Sequence, residues 1–278
     1  MFSVIIPTWN NLPYVKLCVE SIKKNSVLPC QVILHINDGS DGTLQWAKEQ
    51  NILFTNTPDN AGICIAVNMA AALADQPYIV YMNDDMYCCP GWDKYIAEEI
   101  NGLPNDNFML SATMIEPVDT GNGAVITADF GRTTETFNEA RLLGSLQEFK
   151  KNDWSGSSWP PVVISKRYWH IVGGFSIEFS PGMASDDDLS MKMWAAGCRY
   201  FKGIGKSLVY HFQTKSTTRI RKNDGRKQFV LKWNMTSSMF NKYYIRKGQL
   251  FTGPQTEPPD SVIKKDKLKV WYKKKFVY

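Results

Sequence analysis

Two hydrophobic rhythms alternate along the first hundred residues. Val4-Ile5-Ile6 is a continuous apolar run, as in a strand buried on both faces. After the polar turn Thr8-Trp9-Asn10-Asn11, the spacing of Tyr14, Leu17, Cys18 and Ile22, with Pro13 near the first turn, predicts a helix. Val32 to Ile36 reads as a second strand, and Asn37 to Gly42 as a turn rich in side chains that bond backbone. A helix over about 43–50 and a third strand over 52–54 follow. Ile65, Met69 and Leu73 mark another helix, and Tyr78 to Met82 a fourth strand that ends at Asn83-Asp84-Asp85. This order predicts an α/β fold with a mostly parallel sheet and helices on both faces. The loops 8–11, 37–42 and 83–85 fall beyond the carboxyl ends of the strands, where such sheets bind ligands.

The pattern loosens over about 105–165. A strand from Phe108 to Thr113, a turn at Gly121-Asn122-Gly123 and a helix near 138–150 are expected there. It then tightens into a short helix over 166–171, a helix opened by Asp186-Asp187-Asp188 with Gly197 just past its end, and a last strand at Leu208 to His211. From about 214 the chain turns basic and polar. The expected organisation is one domain over 1–213, with a donor half to about 105 and an acceptor half after it, and a basic C-terminal extension over 214–278.

With 278 residues, 44% of them apolar and 21% charged, the chain can bury a core without disulfides. No CxxC pair or zinc spacing occurs among the six cysteines, which read as reduced packing residues of a cytoplasmic protein. Neither a run of about 20 apolar residues nor a secretory leader pattern is seen. The net charge of +5 is too modest, and the acids at the strand ends too repulsive to phosphate, for a nucleic-acid binder.

Each polar cluster has a plain and a chemical reading. Asp84 and Asp85 suit a solvated turn, or a hard divalent cation bound with phosphate oxygens. Asp38 suits an Asx turn, or hydrogen bonding to a nucleoside. Asn60-Ala61-Gly62 suits a helix entry, or close approach of backbone to a ligand at Gly62. Asp186 serves equally as a helix cap and as a general base. His211 is a structural histidine or a ligand. Trp154, Trp159 and Trp169 are core residues or platforms for a sugar ring.

In sequence order, Ser3 to Asn10, Asn37 to Thr43, Asn60-Ala61-Gly62 with Asn68, Tyr81 to Asp85 followed by Pro90-Gly91-Trp92, and Gly173-Gly174-Phe175 with Asp186 to Leu189 resemble family 2 inverting glycosyltransferases of the GT-A fold. The resemblance covers about 1–211. It implies a base pocket lined by Pro7, Thr8 and Asp38, with Asn10, Asn60, Gly62, Asn68 and Asn83 also on the nucleotide-sugar side. It puts Asp84 near the ribose, Asp85 and His211 on a divalent metal (Mn²⁺ or Mg²⁺), and Asp186 in the role of catalytic base. Trp154, Trp159 and Asp187 fall on the acceptor side. The family's usual DxD appears as Asn83-Asp84-Asp85, and its Glu-Asp pair as Ser185-Asp186, which leaves Asp187 and Asp188 as other bases. The implied reaction moves a sugar from a UDP-, GDP- or dTDP-sugar to a glycan or lipid-linked hydroxyl. A sugar nucleotidyltransferase would want a Gly-rich basic phosphate loop, which Pro7 to Asn11 is not. A non-catalytic carbohydrate binder would not need metal, nucleotide and base positions together. The lysines over 264–275 with Trp271, Tyr272 and Phe276 suit either contact with an anionic membrane or a solvated helix with its aromatics packed on the domain.

Overall fold

The computed structural model describes residues 1–214 and 222–277; residues 215–221, at the start of the basic stretch, and Tyr278 lie outside the described residues. Its central sheet grows from β1 (Phe2–Trp9), flanked in parallel by β2 (Cys30–Asn37) and β4 (Tyr78–Tyr81), with β3 (Leu53–Thr57) beyond β2. The connections are α1 (Leu12–Asn25), α2 (Thr43–Glu49) and α3 (Ile63–Ala71). Both faces of β1, β4 and the second half of β2 are buried, which explains their unbroken apolar runs. Phe2, Val4, Ile6, Leu34, Ile36 and Val80 enter one layer with α1 and with α4 (Trp92–Gly102). Ile5, Ile33, Ile79 and Tyr81 enter the other with α3, α6 (Lys166–Val172) and α7 (Ser185–Ala195). Residues one apart go to opposite faces because the strand period is two.

The second half departs from the expected pattern in three ways. β6 (Phe108–Glu116) runs three residues beyond the predicted strand, to Glu116. β9 (Val162–Ser165), too short and too close to Pro160-Pro161 to stand out, inserts antiparallel between β4 and β6. β10 spans Tyr200–His211, of which only the last third was predicted, because Gly203 and Gly205 interrupt its apolar pattern. Gly203 is required: a Cβ there would lie 1.9 Å from the Trp154 ring. β5 (Met86–Cys88) closes the edge antiparallel to β10, and the short β7 (Ile126–Thr127) and β8 (Trp154–Ser155) pair with β6 and β10. Leu142 of α5 (Glu139–Ser145) and the ring of Phe137, just before that helix, cover Tyr210 and Phe212.

Much of the C-terminal stretch enters the second layer. Phe229 of α8 (Gly225–Trp233), Met239 of α9 (Ser237–Met239), Phe240, Tyr244, Ile245 and Ile263 of α10 (Asp260–Phe276) are buried with Met193 and Trp194 of α7. The six cysteines are free thiols in or beside the core. Among the described residues no helix is long and apolar enough to cross a membrane.

Candidate active site

The carboxyl ends of β1 and β2 are in register, Thr8 opposite Ile36 and Trp9 opposite Asn37, so the loops after them meet. Asn10 and Asp38 both hold left-handed backbone, φ 45° and 61°, which Asn and Asp tolerate. The Asn10 amide donates to Asp38 Oδ2 at 2.7 Å and accepts from the Gly39 N–H at 3.1 Å. That bond from Asn10, with those from Ser40, holds the Asp38 carboxyl below its ordinary range. Asn37 ties the next loop in: its Oδ1 accepts from Ala61 N at 2.9 Å, and its Nδ2 donates to the Thr8 carbonyl at 3.2 Å.

Gly62 brings the two halves into close approach. Its φ is +77°, and a Cβ would stand 2.7 Å from Pro181 Cα, so only glycine lets the 60–62 loop touch the loop before α7. Ile63 N donates to the Pro181 carbonyl at 2.8 Å across that junction. A cleft of about 340 Å³ opens there. It is lined on one side by Pro7, Thr8, Asn37, Asn60 and Gly62, on its floor by Asn83, Asp84, Asp85, His211 and Thr214, and on the other side by Ser185 and Asp186. Thr8 Oγ1 is buried at this cleft without a hydrogen-bond partner, an arrangement that costs free energy unless a ligand completes it. Asn10 and Asp38 are not among the lining residues; they brace the loop beside it. Asn68, expected on the nucleotide-sugar side, is turned elsewhere. Both ends of its amide bond the Phe175 backbone, at 2.7 and 2.8 Å, because the Gly173-Gly174 turn leaves those groups without partners.

The floor is built by antiparallel pairing. Asp85 immediately precedes β5, and Met86 pairs with His211 at the end of β10, which sets the two side chains together. His211 Nε2 stands 3.4 Å from Asp85 Oδ1, and His211 Nδ1 is 2.8 Å from Glu116 Oε1 at the end of β6. Asp85 Oδ2 accepts from the Thr214 N–H and hydroxyl, both at 2.8 Å. Burial works against charge on the His211 imidazole, yet the Asp85 and Glu116 carboxylates outweigh it, and its pKa is pushed up to about 10. Burial likewise pushes Asp85 up, but the His211 charge and the Thr214 bonds hold it below its ordinary value. Among the described residues no group of three or more His, Cys, Asp and Glu side chains is arranged to hold a metal. Two groups of the kind that bind such ions do stand together. Asp85 Oδ1 and His211 Nε2 face each other across the floor, and Glu116, bonded to the other ring nitrogen, fixes the orientation of the imidazole. Carboxylate plus imidazole, with positions left for phosphate oxygens, is a donor set that fits Mn²⁺ or Mg²⁺.

The three acids of α7 have three different fates. Asp188 is fully buried and spent on structure, accepting from Ser176 Oγ at 2.5 Å and Trp233 Nε1 at 2.7 Å and pairing with Lys232 at 2.9 Å. Asp187 accepts from Asn241 Nδ2 at 2.8 Å. Asp186 lines the cleft. Burial, reinforced by the Asp187 charge and opposed by Lys247, pushes the Asp186 carboxyl up to about 7. A carboxylate poised near neutrality inside a cleft is matched to general-base work.

Of the three tryptophans singled out in the sequence, Trp154, Trp159 and Trp169, Trp159 alone offers a surface. Trp154, expected on the acceptor side, lies flat on Gly203 with its Nε1 donating to Thr113 Oγ1 at 2.9 Å, so it presents no face to a sugar. Trp169 is buried edge-on to Phe175. Trp159, beside the cleft residue Pro160, is about a third exposed, and the Lys247 ammonium stands 3.2 Å from its ring centroid. Glu116, Thr214, Asn241 and Lys247 were not singled out by sequence reasoning. Glu116 carried a weak signal as an acid closing an apolar strand; the other three carried none.

Comparison with known proteins gives this geometry a context. The sequence model described as Glycosyl transferase family 2 matches residues 3–157, more than half of the chain. A chondroitin synthase from Pasteurella multocida (strain Pm70) is 25% identical over 238 residues. Those residues are 82% of this chain and 22% of that protein, so the chain spans about a fifth of its relative's length. Among solved structures, S. aureus TarS 1-349 in complex with UDP-GlcNAc superposes with a TM-score of 0.60 at 16% identity, covering 83% of this chain and 64% of that one. GalNAc-T7 with UDP, GalNAc and Mn²⁺ superposes with a TM-score of 0.60 at 14% identity, covering 100% and 56%. At those identities the likeness is one of fold, the mostly parallel GT-A sheet with helices on both faces.

Proposed function

The chain belongs to glycosyl transferase family 2 and is a glycosyltransferase, and on that premise we propose that it moves a sugar from a nucleoside-diphosphate sugar, held with a divalent cation, to a hydroxyl of a glycan or lipid-linked acceptor with inversion at the anomeric carbon. The observation that carries this reading is the cleft itself, with Thr8, Asn37 and Asn60 on one wall, Asp85 and His211 on the floor and Asp186 on the other wall. TarS and GalNAc-T7, solved with UDP-GlcNAc and with UDP and Mn²⁺, support a nucleotide-sugar donor and a metal by likeness of fold.

In this reading Pro7, Thr8 and Asn60 line the nucleoside side, and Asn10 with Asp38 keep its wall in shape. Asp85 and His211 hold the cation, and Asp84 lies beside the ribose. When bound, the cation neutralises the diphosphate and favours its departure. Asp186 takes the proton of the acceptor hydroxyl as that oxygen attacks the anomeric carbon. The bond from that carbon to the diphosphate oxygen breaks, its electron pair leaves with the diphosphate, and attack from the opposite face inverts the centre. Thermal melting with UDP-, GDP- and dTDP-sugars, each with Mn²⁺, Mg²⁺ or chelator, tests the donor. One nucleotide class should raise the melting temperature only with metal, by mass action worth about 2.7 kcal/mol at a hundredfold excess over Kd. No shift with any nucleotide under any condition would remove the donor assignment.

The aromatics of α10 favour a lipid-side acceptor. Ile263 and Val270 are the buried face of that helix, while Leu268, Trp271, Tyr272 and Phe276 are each more than half exposed. On a helical projection these four share the opposite face with Lys264, Lys265 and Lys275. The alternative, aromatics packed on the domain, would have buried them. Aromatic and basic side chains on one helical face suit an anionic bilayer surface. Full-length protein should sediment with vesicles containing phosphatidylserine but not with phosphatidylcholine alone, and a Trp271→Ser/Phe276→Ser variant should stay in solution. Equal sedimentation of both proteins would dismiss the contact.

A further inference from the structure

Lys247 comes from a segment about sixty residues past the α7 acids, yet it is built into their surroundings. Gly248 N donates to the Ser155 carbonyl at 2.9 Å, Ser155 N donates to the Gln249 carbonyl at 2.8 Å, and Trp154 bridges to Leu250, so this segment pairs with β8. Lys247 N is itself bonded to the Asn241 carbonyl at 2.9 Å. Gly156 makes room for it: a Cβ there would stand 2.5 Å from Lys247 Cα. The backbone is therefore held from two sides, and the side chain is aimed rather than free.

At the end of that side chain the chemistry is incomplete. Lys247 Nζ is buried and has no hydrogen-bond partner; it rests against the Trp159 ring. Two neighbours are also unmatched: Asn241 Oδ1, on the side chain whose Nδ2 holds Asp187, and the hydroxyl of Ser158, next to Trp159. An orphaned ammonium costs far more than an orphaned hydroxyl, and an aromatic face compensates it only in part. A neutral sugar hydroxyl would not repay that cost, whereas an anionic oxygen would, through a charge-assisted hydrogen bond. Asp187 and Asp186 are the charges felt at this ammonium, and Pro160, next to Trp159, lines the cleft together with Asp186, which makes the acceptor rather than the diphosphate the partner.

We propose that Lys247, seated on Trp159 and held beside Asn241, forms an acceptor subsite for an acidic sugar, whose carboxylate or phosphate oxygens bind the ammonium. The inference rests on the transferase reading and names the acceptor class for that same cleft. Burial pushes the Lys247 pKa down to about 7, against the pull of Asp187 and Asp186, which is the state expected of an ammonium whose counter-ion arrives with the substrate. The subsite also places negative charge where Lys247, not Asp186, meets it, leaving the base free to act on the neighbouring hydroxyl.

The test is calorimetric titration of the full-length protein loaded with UDP and Mn²⁺. Two matched pairs serve as probes: 4-nitrophenyl β-D-glucuronide against 4-nitrophenyl β-D-glucoside, and glucose 6-phosphate against glucose. At least one acidic probe should bind about tenfold or more tightly than its neutral partner, as a hydrogen bond to a charged group warrants; which pair responds tells carboxylate from phosphate. Lys247→Met should abolish the preference, Lys247→Arg should keep it, and neither should alter UDP affinity. Equal affinity for acidic and neutral probes in the unaltered protein overturns the subsite whether or not the variants fold, as does a preference that survives in Lys247→Met. Failure of UDP to bind the unaltered protein would instead count against the donor reading, so the two failures are distinct.

Discussion

Asp186→Asn is expected to lower the transfer rate by about 10²–10⁴-fold, the usual contribution of a positioned base, while UDP binding is unchanged and the melting temperature at pH 8 goes up. The three readouts follow from one fact. Asp186 is held with its pKa raised to about 7 by burial and by Asp187. In the unfolded chain it titrates near 3.8. The folded protein thus binds this proton more tightly than the unfolded chain does. Stability associated with it is complete below pH 3.8 and is lost as pH rises through about 7. Asparagine has no proton to lose, so at pH 8 the variant escapes that cost. The same pKa sets the activity profile: kcat/KM should fall tenfold per unit below about pH 7 and level off above it. Asp187→Asn removes the like charge and should move that limb to lower pH. If Asp186→Asn turns over at the ordinary rate, the base lies elsewhere. If it is inactive but melts lower than the parent at pH 8, the carboxylate was supporting the fold and its raised pKa is misread.

Asp85→Ala should be the most damaging single change on the floor, eliminating both transfer and its response to Mn²⁺. It should also destabilise the free protein by about 3 kcal/mol, the lower end for removing one partner of a buried ion pair. His211 would then keep only Glu116 for its charge, and the Thr214 N–H and hydroxyl would lose their acceptor. Glu116→Gln makes the informative contrast. It leaves both ligands in place and removes only the carboxylate that orients the imidazole, so apparent Mn²⁺ affinity should drop about 10–100-fold with activity recoverable at high metal. Calorimetric unfolding and Mn²⁺ titration of activity read both variants. A Mn²⁺ response that persists unchanged in Asp85→Ala would show that this carboxylate is not a ligand.

How legible these residues are in the sequence depends on the range of the interaction that fixes each. Val4-Ile5-Ile6 and Tyr78 to Met82 announced themselves because a parallel strand buried on both faces needs every position apolar. The turns at 8–11, 37–42 and 83–85 followed from the topology those strands imply, and so did their meeting at one edge. β9 and the first part of β10 stayed hidden. The one is four residues beside a pair of prolines, and the other is broken by Gly203, which admits Trp154, and by Gly205, which admits the backbone of Lys151. Trp154 itself looked the same as Trp159 in sequence; only the packing on Gly203 separates a core indole from an exposed one.

Local pattern thus determined the alternating sheet, the edge at which ligands collect, and a short set of acids beside that edge. Tertiary structure decided which acid does what. Successive side chains on a helix point about 100° apart, so Asp186, Asp187 and Asp188 cannot all face one cleft. Where α7 begins and what it packs on sends the third to Ser176 and Trp233, the second to Asn241 and the first to the cavity. Glu116 behind His211, and Lys247 over Trp159, arrive from strands and loops dozens of residues away. No periodicity marks such residues, because the energy that fixes them is paired charge and buried polar contact between distant segments, and that exists only once the chain has folded.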